Sequence, residues 1–262
     1  MLTVFHGSND YSKKFEDYLS DSVSLILLDS ESIDIGFHKP INAMYLELNA
    51  FNANTSLVSV QYYNGAFTDL VIEEETDGLK RSGFIKWERN QANEVKTTLH
   101  SKEMYWYKLK VDSDTSSIEY SGINLVFSND INLTEEYPNI LDFLPENKSS
   151  FIGFHQAARN DIVTKLRNQG NKIQGLEQKK LDQFDLLDFE EMKDASKFLV
   201  LSKIFFWISD AVGDKWHEKA VKFESKYGDK IDLYFLSIDK NDDGIKDANE
   251  TQSVNFARID RV

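Results

Sequence analysis

Residues 239–250 read Asp-Lys-Asn-Asp-Asp-Gly-Ile-Lys-Asp-Ala-Asn-Glu, which has the residue types and spacing of a calcium loop. A hard cation of this kind takes oxygen ligands only. Asp239, Asn241 and Asp243 place side-chain oxygens at loop positions 1, 3 and 5. Gly244 takes the sharp turn at position 6, and Ile245 offers its carbonyl at position 7. Asp247 stands at position 9, one water from the ion, and Glu250 closes the set as a bidentate ligand at position 12. The alternative is an acidic surface turn rich in Asp, Asn and Gly that binds nothing. A sensor needs a helix on each side of the loop and usually a second loop. Here the approach, residues 231–238, is β-branched and aromatic, and in the exit Val254 and Phe256 alternate like a strand. The expectation is therefore one structural Ca2+ acting as a staple, which neutralises clustered carboxylates and sets the direction of the segment that follows.

Catalytic patterns are missing from the rest of the chain. The five histidines, His6, His38, His100, His155 and His217, have no metal-ligand spacing, and there is no glycine-rich phosphate loop or nucleophile elbow. His155 falls near an apolar helical stripe and reads as a satisfied core or interface histidine. Glu73, Glu74 and Glu75 read as a solvated loop. The chain is expected not to be an enzyme. Tyr62, Tyr63, Trp87, Tyr105, Trp106 and Tyr107 read as core plus subunit contact, with a sugar-stacking face as the alternative.

Two kinds of element are available to position these groups. Short apolar runs with partial alternation at 43–48, 57–63, 84–87, 105–111 and 123–127 are separated by turn signals such as Asn64-Gly65 and Asp77-Gly78. They predict an antiparallel β-sandwich over residues 1–130. Residues 131–148, polar and containing Pro138 and Pro145, predict a linker. Residues 149–262 read as mostly helical. A helix capped by Ser149 or Ser150 carries Phe151, Phe154 or His155, Ala158, Ile162 and Leu166 on one stripe and stops at Gly170. Asp188 and Glu191 have capping-box spacing before a helix that is apolar on most sides between Phe198 and Trp207. A third helix starts at Asp214 and ends at Gly228.

The 262 residues contain no cysteine, which excludes disulfides and thiolate chemistry. No run is long enough to span a bilayer, and Met-Leu-Thr-Val-Phe-His is no signal sequence, so a soluble protein made in a cytoplasm is expected. The net charge of −14 is uneven: residues 1–148 hold 24 acidic and 12 basic side chains, residues 149–262 hold 20 and 18. An acidic first part repels phosphate and argues against non-specific nucleic-acid binding there.

Several stretches carry a family resemblance. Asp185-Leu186-Leu187-Asp188 and the apolar helix after it resemble the adaptor helix of head–tail connector proteins of tailed bacteriophages. Residues 154–162 (Phe-His-Gln-Ala-Ala-Arg-Asn-Asp-Ile) are similar to that family's first helix, and Trp216, Lys219, Ala220, Tyr227 and the Asp-rich loop fit the remainder. Residues 62–67, 82–87 and 105–109 resemble jelly-roll modules of phage neck and tail proteins. The resemblance implies an α+β multidomain fold, a jelly-roll-like sandwich plus a helical bundle of adaptor type with an extended C-terminal arm at 251–262. It implies a structural virion protein in the neck, a homo-oligomeric, twelvefold ring joining portal to tail and meeting further neck or tail proteins. Genomic DNA would pass through without specific binding, and no membrane is involved. The arm residues Val254, Phe256, Arg258, Ile259 and Arg261 are the implied partner contacts. A calcium-dependent carbohydrate-binding or adhesion module is the alternative, and a hydrolase acting on surface polysaccharide is a third reading.

If residues 239–250 hold calcium, the double substitution Asp239→Ala, Glu250→Ala lowers the thermal midpoint and removes the stabilisation conferred by added calcium. Scanning calorimetry with and without chelator checks this, and identical melting of the parent chain under both conditions rules the staple out.

Overall fold

Frequent turns and apolar alternation in the first half, and longer periodic stretches in the second, give the chain two compact units, Met1–Leu125 and Val126–Val262. The structure is a computed structural model and describes residues 2–16, 23–87, 94–146, 148–170, 184–186, 189–232, 235–238 and 251–253.

The first unit contains β1 (Leu2–His6), β2 (Asn9–Asp10), α1 (Ser12–Glu16), β3 (Val23–Leu25), β4 (Ser32–Phe37), β5 (Ala43–Ala50) and β6 (Val58–Tyr63). It continues with β7 (Phe67–Asp69), β8 (Ile72–Glu74), β9 (Gly83–Trp87), β10 (Thr97–Leu99), β11 (Lys102–Val111) and β12 (Ile118–Asn124). One sheet has the order β2-β1-β4-β11-β6-β7, with β10 also on β11, and the other has the order β3-β12-β5-β9-β8. The described pairings are antiparallel. From β3 onward, β3, β4, β5, β6, β9, β11 and β12 alternate between the two sheets.

Strand β11 explains much of the core. Successive residues point to opposite faces, yet Trp106 and Tyr107 are both buried, at 1% exposure each. On one face Tyr107 packs against Trp87 of the other sheet, ring centroids 5.3 Å apart, and its hydroxyl accepts from the Ile41 amide at 3.0 Å. On the other face Trp106 clusters with Phe5, Met104, Tyr63 and Leu99. Its indole N–H donates to the Thr97 carbonyl at 3.0 Å, so β10 covers the ring. Gly36 lies opposite Trp106 in the ladder, and a Cβ there would sit 2.9 Å from the indole. The missing side chain is the seat for the tryptophan.

Asn52, 3% exposed, ties the loops at one end of this unit together. Its amide donates to Ser56 Oγ at 2.8 Å and to the Gly78 carbonyl at 3.0 Å. Its carbonyl accepts from the amides of Asn54 at 3.1 Å and Ser116 at 3.0 Å. The turn it reaches runs through three positive-φ residues, Asp77 (51°), Gly78 (66°) and Leu79 (67°). Gly78 is required, because a Cβ would lie 2.2 Å from the Ser56 carbonyl oxygen. Buried Leu79 is held in its strained conformation by Thr76 Oγ1 on its amide at 3.1 Å and by the backbone N–H of Asn52 on its carbonyl at 2.9 Å.

The second unit contains α2 (Asp130–Glu136), a 3-10 turn (Ile140–Phe143), α3 (Ile152–Gly170), a second 3-10 turn (Phe189–Met192), α4 (Lys193–Ile208), α5 (Lys215–Asp232), β13 (Phe235–Ser237) and β14 (Thr251–Ser253). Phe205 of α4 stacks between Trp216 at 5.8 Å and Phe223 at 5.6 Å, both of α5. Asp194 of α4 takes Lys230 of α5 at 3.1 Å. No described helix is long and apolar enough to cross a membrane.

Five expectations change. Glu73 and Glu74, expected in a solvated loop, lie in β8 and pair with Lys86 and Ile85 of β9. Residues 131–148, expected as a linker, carry α2 and the 3-10 turn, with Leu133 and Ile140 fully buried. Tyr137 packs on Phe205 and Phe143 on Trp216, so apolar residues spaced among polar ones anchor this segment to the helices. The last strand of the first unit lies at 118–124, not 123–127. It has register shifts between Glu119 and Gly122 that blur its alternation, and Val126 and Phe127 are buried residues of the second unit. α4 begins at Lys193 after a 3-10 turn, with no side-chain cap hydrogen bond; Asp188 lies outside the described residues. Gly228 does not end α5, which runs on because Ile231 is buried on the stripe of Ala220 and Phe223.

Asn52→Ala removes the acceptor of the Asn54 and Ser116 amides and the donor to Ser56 Oγ, and leaves the Gly78 carbonyl with Ser56 Oγ as its side-chain donor. It should lower unfolding stability by about 3 kcal/mol, measured by urea denaturation.

Candidate functional site

Asp239, Asn241, Asp243, Ile245, Asp247 and Glu250 lie outside the described residues, as do Val254, Phe256, Arg258, Ile259 and Arg261. What brackets the loop is described. β13 and β14 pair antiparallel, Phe235 with Ser253 and Ser237 with Thr251, so residues 239–250 connect the two strands of a hairpin. Ile238, buried just before the loop, forms an antiparallel bridge with Leu186. The approach and exit are extended, not the paired helices of a calcium sensor. Among the described residues, no group of three or more His, Cys, Asp or Glu side chains converges to hold a metal.

One set of described side chains resembles catalytic machinery and is built differently. His155 Nε2 meets Asp130 Oδ1 at 3.0 Å, and its Nδ1 meets Ser128 Oγ at 3.0 Å. Ser128 Oγ also meets Ser196 Oγ at 2.8 Å. With Nε2–H donating to the carboxylate, Nδ1 accepts from Ser128, which accepts from Ser196. Asp130 also accepts from the Phe151 amide, at 3.2 Å to Oδ2 and 3.3 Å to Oδ1. A hydrolase nucleophile must reach substrate, but Ser128 is 0% exposed and His155 1%. The set instead joins the start of α2 to α3 and α4. The helix start has its own lock: Asn129 and Asn132 exchange hydrogen bonds from side chain to backbone at 3.0 Å in each direction. His155 is thus a core histidine with both ring nitrogens partnered. The sequence signals its burial through the stripe of α3, while Ser128 and Ser196 carry no local signal.

The aromatics that the sequence reads as core plus subunit contact are mostly interior. Tyr62, Trp87, Trp106 and Tyr107 are buried, leaving Tyr63 and Tyr105 partly accessible. The phenol of Tyr120 is also buried, and desolvation pushes its pKa upward, away from any acid–base role near neutrality.

Among the described residues of the helical unit, one accessible feature is an apolar corner at the junction of α4 and α5. α4 is covered through Phe205, and its last turn is not: Phe206 is 41% and Trp207 53% exposed. Val212 in the connecting loop reaches 89% and Val221 of α5 46%. Trp207 meets Phe154 edge-on at 6.0 Å, and Phe206 meets His217 at 5.6 Å. The loop is held by Asp214, the α5 cap. Its carboxylate accepts from the amides of His217 at 2.7 Å, Trp216 at 2.8 Å, Asp210 at 2.9 Å and Ala211 at 3.3 Å, and from Ser209 Oγ at 3.1 Å. The sequence puts Trp207 in the apolar helix but carries no local sign that this last turn lacks cover.

The His217 amide, followed by those of Asp210 and Ala211 and the Ser209 hydroxyl, draws the Asp214 carboxyl down to about 2 from an ordinary value of 3.8, against a smaller opposing effect of desolvation. Its folded value is below its unfolded one, so its stabilising effect is complete above about pH 4 and is lost as pH falls through 2. Asp214→Asn keeps the cap acceptor but does not titrate. Its stability is therefore expected to fall less than the parent's between pH 4 and 2, as read by thermal melts across that window.

No protein-family model, no curated protein and no solved structure matches this chain.

Proposed function

We propose that this chain is a non-enzymatic assembly subunit, a head–tail connector of a tailed bacteriophage whose copies form a ring between portal and tail and extend the DNA channel. The observation that carries this reading is the apolar corner of Phe206, Trp207, Val212 and Val221, which a soluble monomer gains nothing by exposing. Two aromatic side chains at the end of an otherwise covered helix suit an anchor for a neighbouring copy. The alternation of long strands between two antiparallel sheets supports a jelly-roll-like sandwich for the first unit. α2, α3, α4 and α5 support a small helical bundle for the second. The hairpin of β13 and β14 supports the staple: the first residues of the 251–262 arm, Thr251–Ser253, form β14, and Ca2+ on residues 239–250 would hold the hairpin tip and aim the rest of the arm toward the portal or an adjoining neck protein. A net charge of −14 suits a channel past which DNA slides without sticking. The sealing of Ser128 and His155 fits the absence of a catalytic role. The burial of Tyr62, Trp87, Trp106 and Tyr107 weighs against a sugar-stacking face.

In that role the protein would sit in the virion neck. Electron microscopy of the purified chain, alone and with portal-bearing particles, should show rings. Trp207→Asp should fold with a thermal midpoint within a few degrees of the parent, because the ring is half exposed, and should give no rings. Monomers under both conditions for the parent chain sink the proposal.

A further inference from the structure

The loop end of the first unit offers a second surface, distinct from the helical corner. Three segments meet there through hydrogen bonds. Leu27 and Thr115 exchange bonds at 2.8 and 2.9 Å, and Asp29 N donates to Asp114 Oδ1 at 3.0 Å. Ala53 N donates to Ser116 Oγ at 2.7 Å, and Leu57 N to Asp112 Oδ1 at 2.6 Å. The buried Asn52 locks these loops to the turn at Asp77 and Gly78. On this fixed frame stand exposed apolar side chains: Ile26 (51%), Leu28 (41%), Phe51 (51%) and Leu57 (70%). The same loops carry the carboxylates of Asp29, Glu31, Asp77, Asp112 and Asp114, against Lys80, Arg81 and Lys110 as the basic residues in or beside them. The surface is apolar, rigid and negatively rimmed, which defines an apolar and basic partner.

Residues 254–262 of the chain, Val-Asn-Phe-Ala-Arg-Ile-Asp-Arg-Val, have that chemistry: Val254, Phe256 and Ile259 are apolar, and Arg258 and Arg261 outweigh Asp260. The stretch follows an acidic loop in an acidic chain, so its positive balance is local. We infer that the loop end of the first unit binds residues 254–262 of a second copy of this chain. This rests on the reading of the protein as a self-assembling subunit and names one contact within it. The apolar side chains supply burial, and the arginines meet the aspartate rim.

The test is fluorescence anisotropy with a labelled peptide of residues 251–262. The receptor is the full chain carrying Phe256→Asp, Arg258→Glu and Arg261→Glu, so that its own segment does not compete. Saturable binding is expected, weakening about ten-fold on reversal of both peptide arginines, as two exposed ion pairs predict, and declining with added salt. Phe51→Asp or, independently, Leu57→Asp in the receptor should lower affinity by a similar factor while leaving the circular dichroism unchanged. A receptor with Asp29→Arg and Asp77→Arg should recover binding of the charge-reversed peptide. No saturable binding, equal binding of a scrambled peptide, or indifference to the receptor substitutions overturns the inference. Rings that form, and are lost in Trp207→Asp, while the peptide fails to bind leave the connector reading standing and remove this contact. Peptide binding by a chain that never forms rings keeps the contact and removes the connector.

Discussion

A buried backbone amide or carbonyl must find a partner, and where the chain turns in irregular loops the partner has to be a side chain. That constraint organises both units. In the first, Asn52 uses its donors and its acceptor together to satisfy loops that lie far apart in sequence, and through the Gly78 turn it holds Leu79 in a left-handed conformation. In the second, Asp130 and His155 join the starts of α2 and α3, and the two serines extend the chain to α4. Asp214 does the same at the surface for the corner between α4 and α5. Each case trades the desolvation of a polar group for a closed set of hydrogen bonds, so removing one member costs more than the one bond it made.

Rigid loops allow apolar residues to remain outside without collapse. The corner at Trp207 and the loop end at Phe51 both display aromatic side chains on segments fixed by side-chain caps. The ordering cost of a binding surface is then met on folding, which leaves more of the contact energy for association. A net charge of −14 disfavours polyanions, and on the proposed reading an apolar patch among carboxylates would favour a partner that brings arginine.

Elements with strong local periodicity were legible in the sequence. The strands around 43–48, 57–63, 84–87 and 105–111 appear within a few residues of their expected places, because alternating burial is written directly in residue type. α3 appears with Ser150 accepting from the Ile152 amide at 3.1 Å, as its cap residue implies. Elements whose stability comes from distant partners were not legible. α2 and the following 3-10 turn look like linker because their few apolar residues depend on Phe205 and Trp216 of later helices. β12 is obscured by its irregular register with β5. Gly228 resembles a stop, yet α5 continues through it because Ile231 is buried on the same stripe, and packing outweighs a glycine's propensity.

By itself the sequence determined the two kinds of periodicity, the charge asymmetry, the lack of thiol chemistry and the calcium-type spacing at 239–250, since each depends only on residue type and local order. Tertiary structure alone decided that Trp106 and Tyr107 are both interior, that His155 sits in a sealed network, and that Phe206 and Trp207 lie uncovered beside a buried Phe205. Those outcomes depend on which surfaces meet. Burial is a property of the partner across the gap as much as of the residue itself, and residues brought together across dozens of positions leave no mark in the local pattern that either one displays.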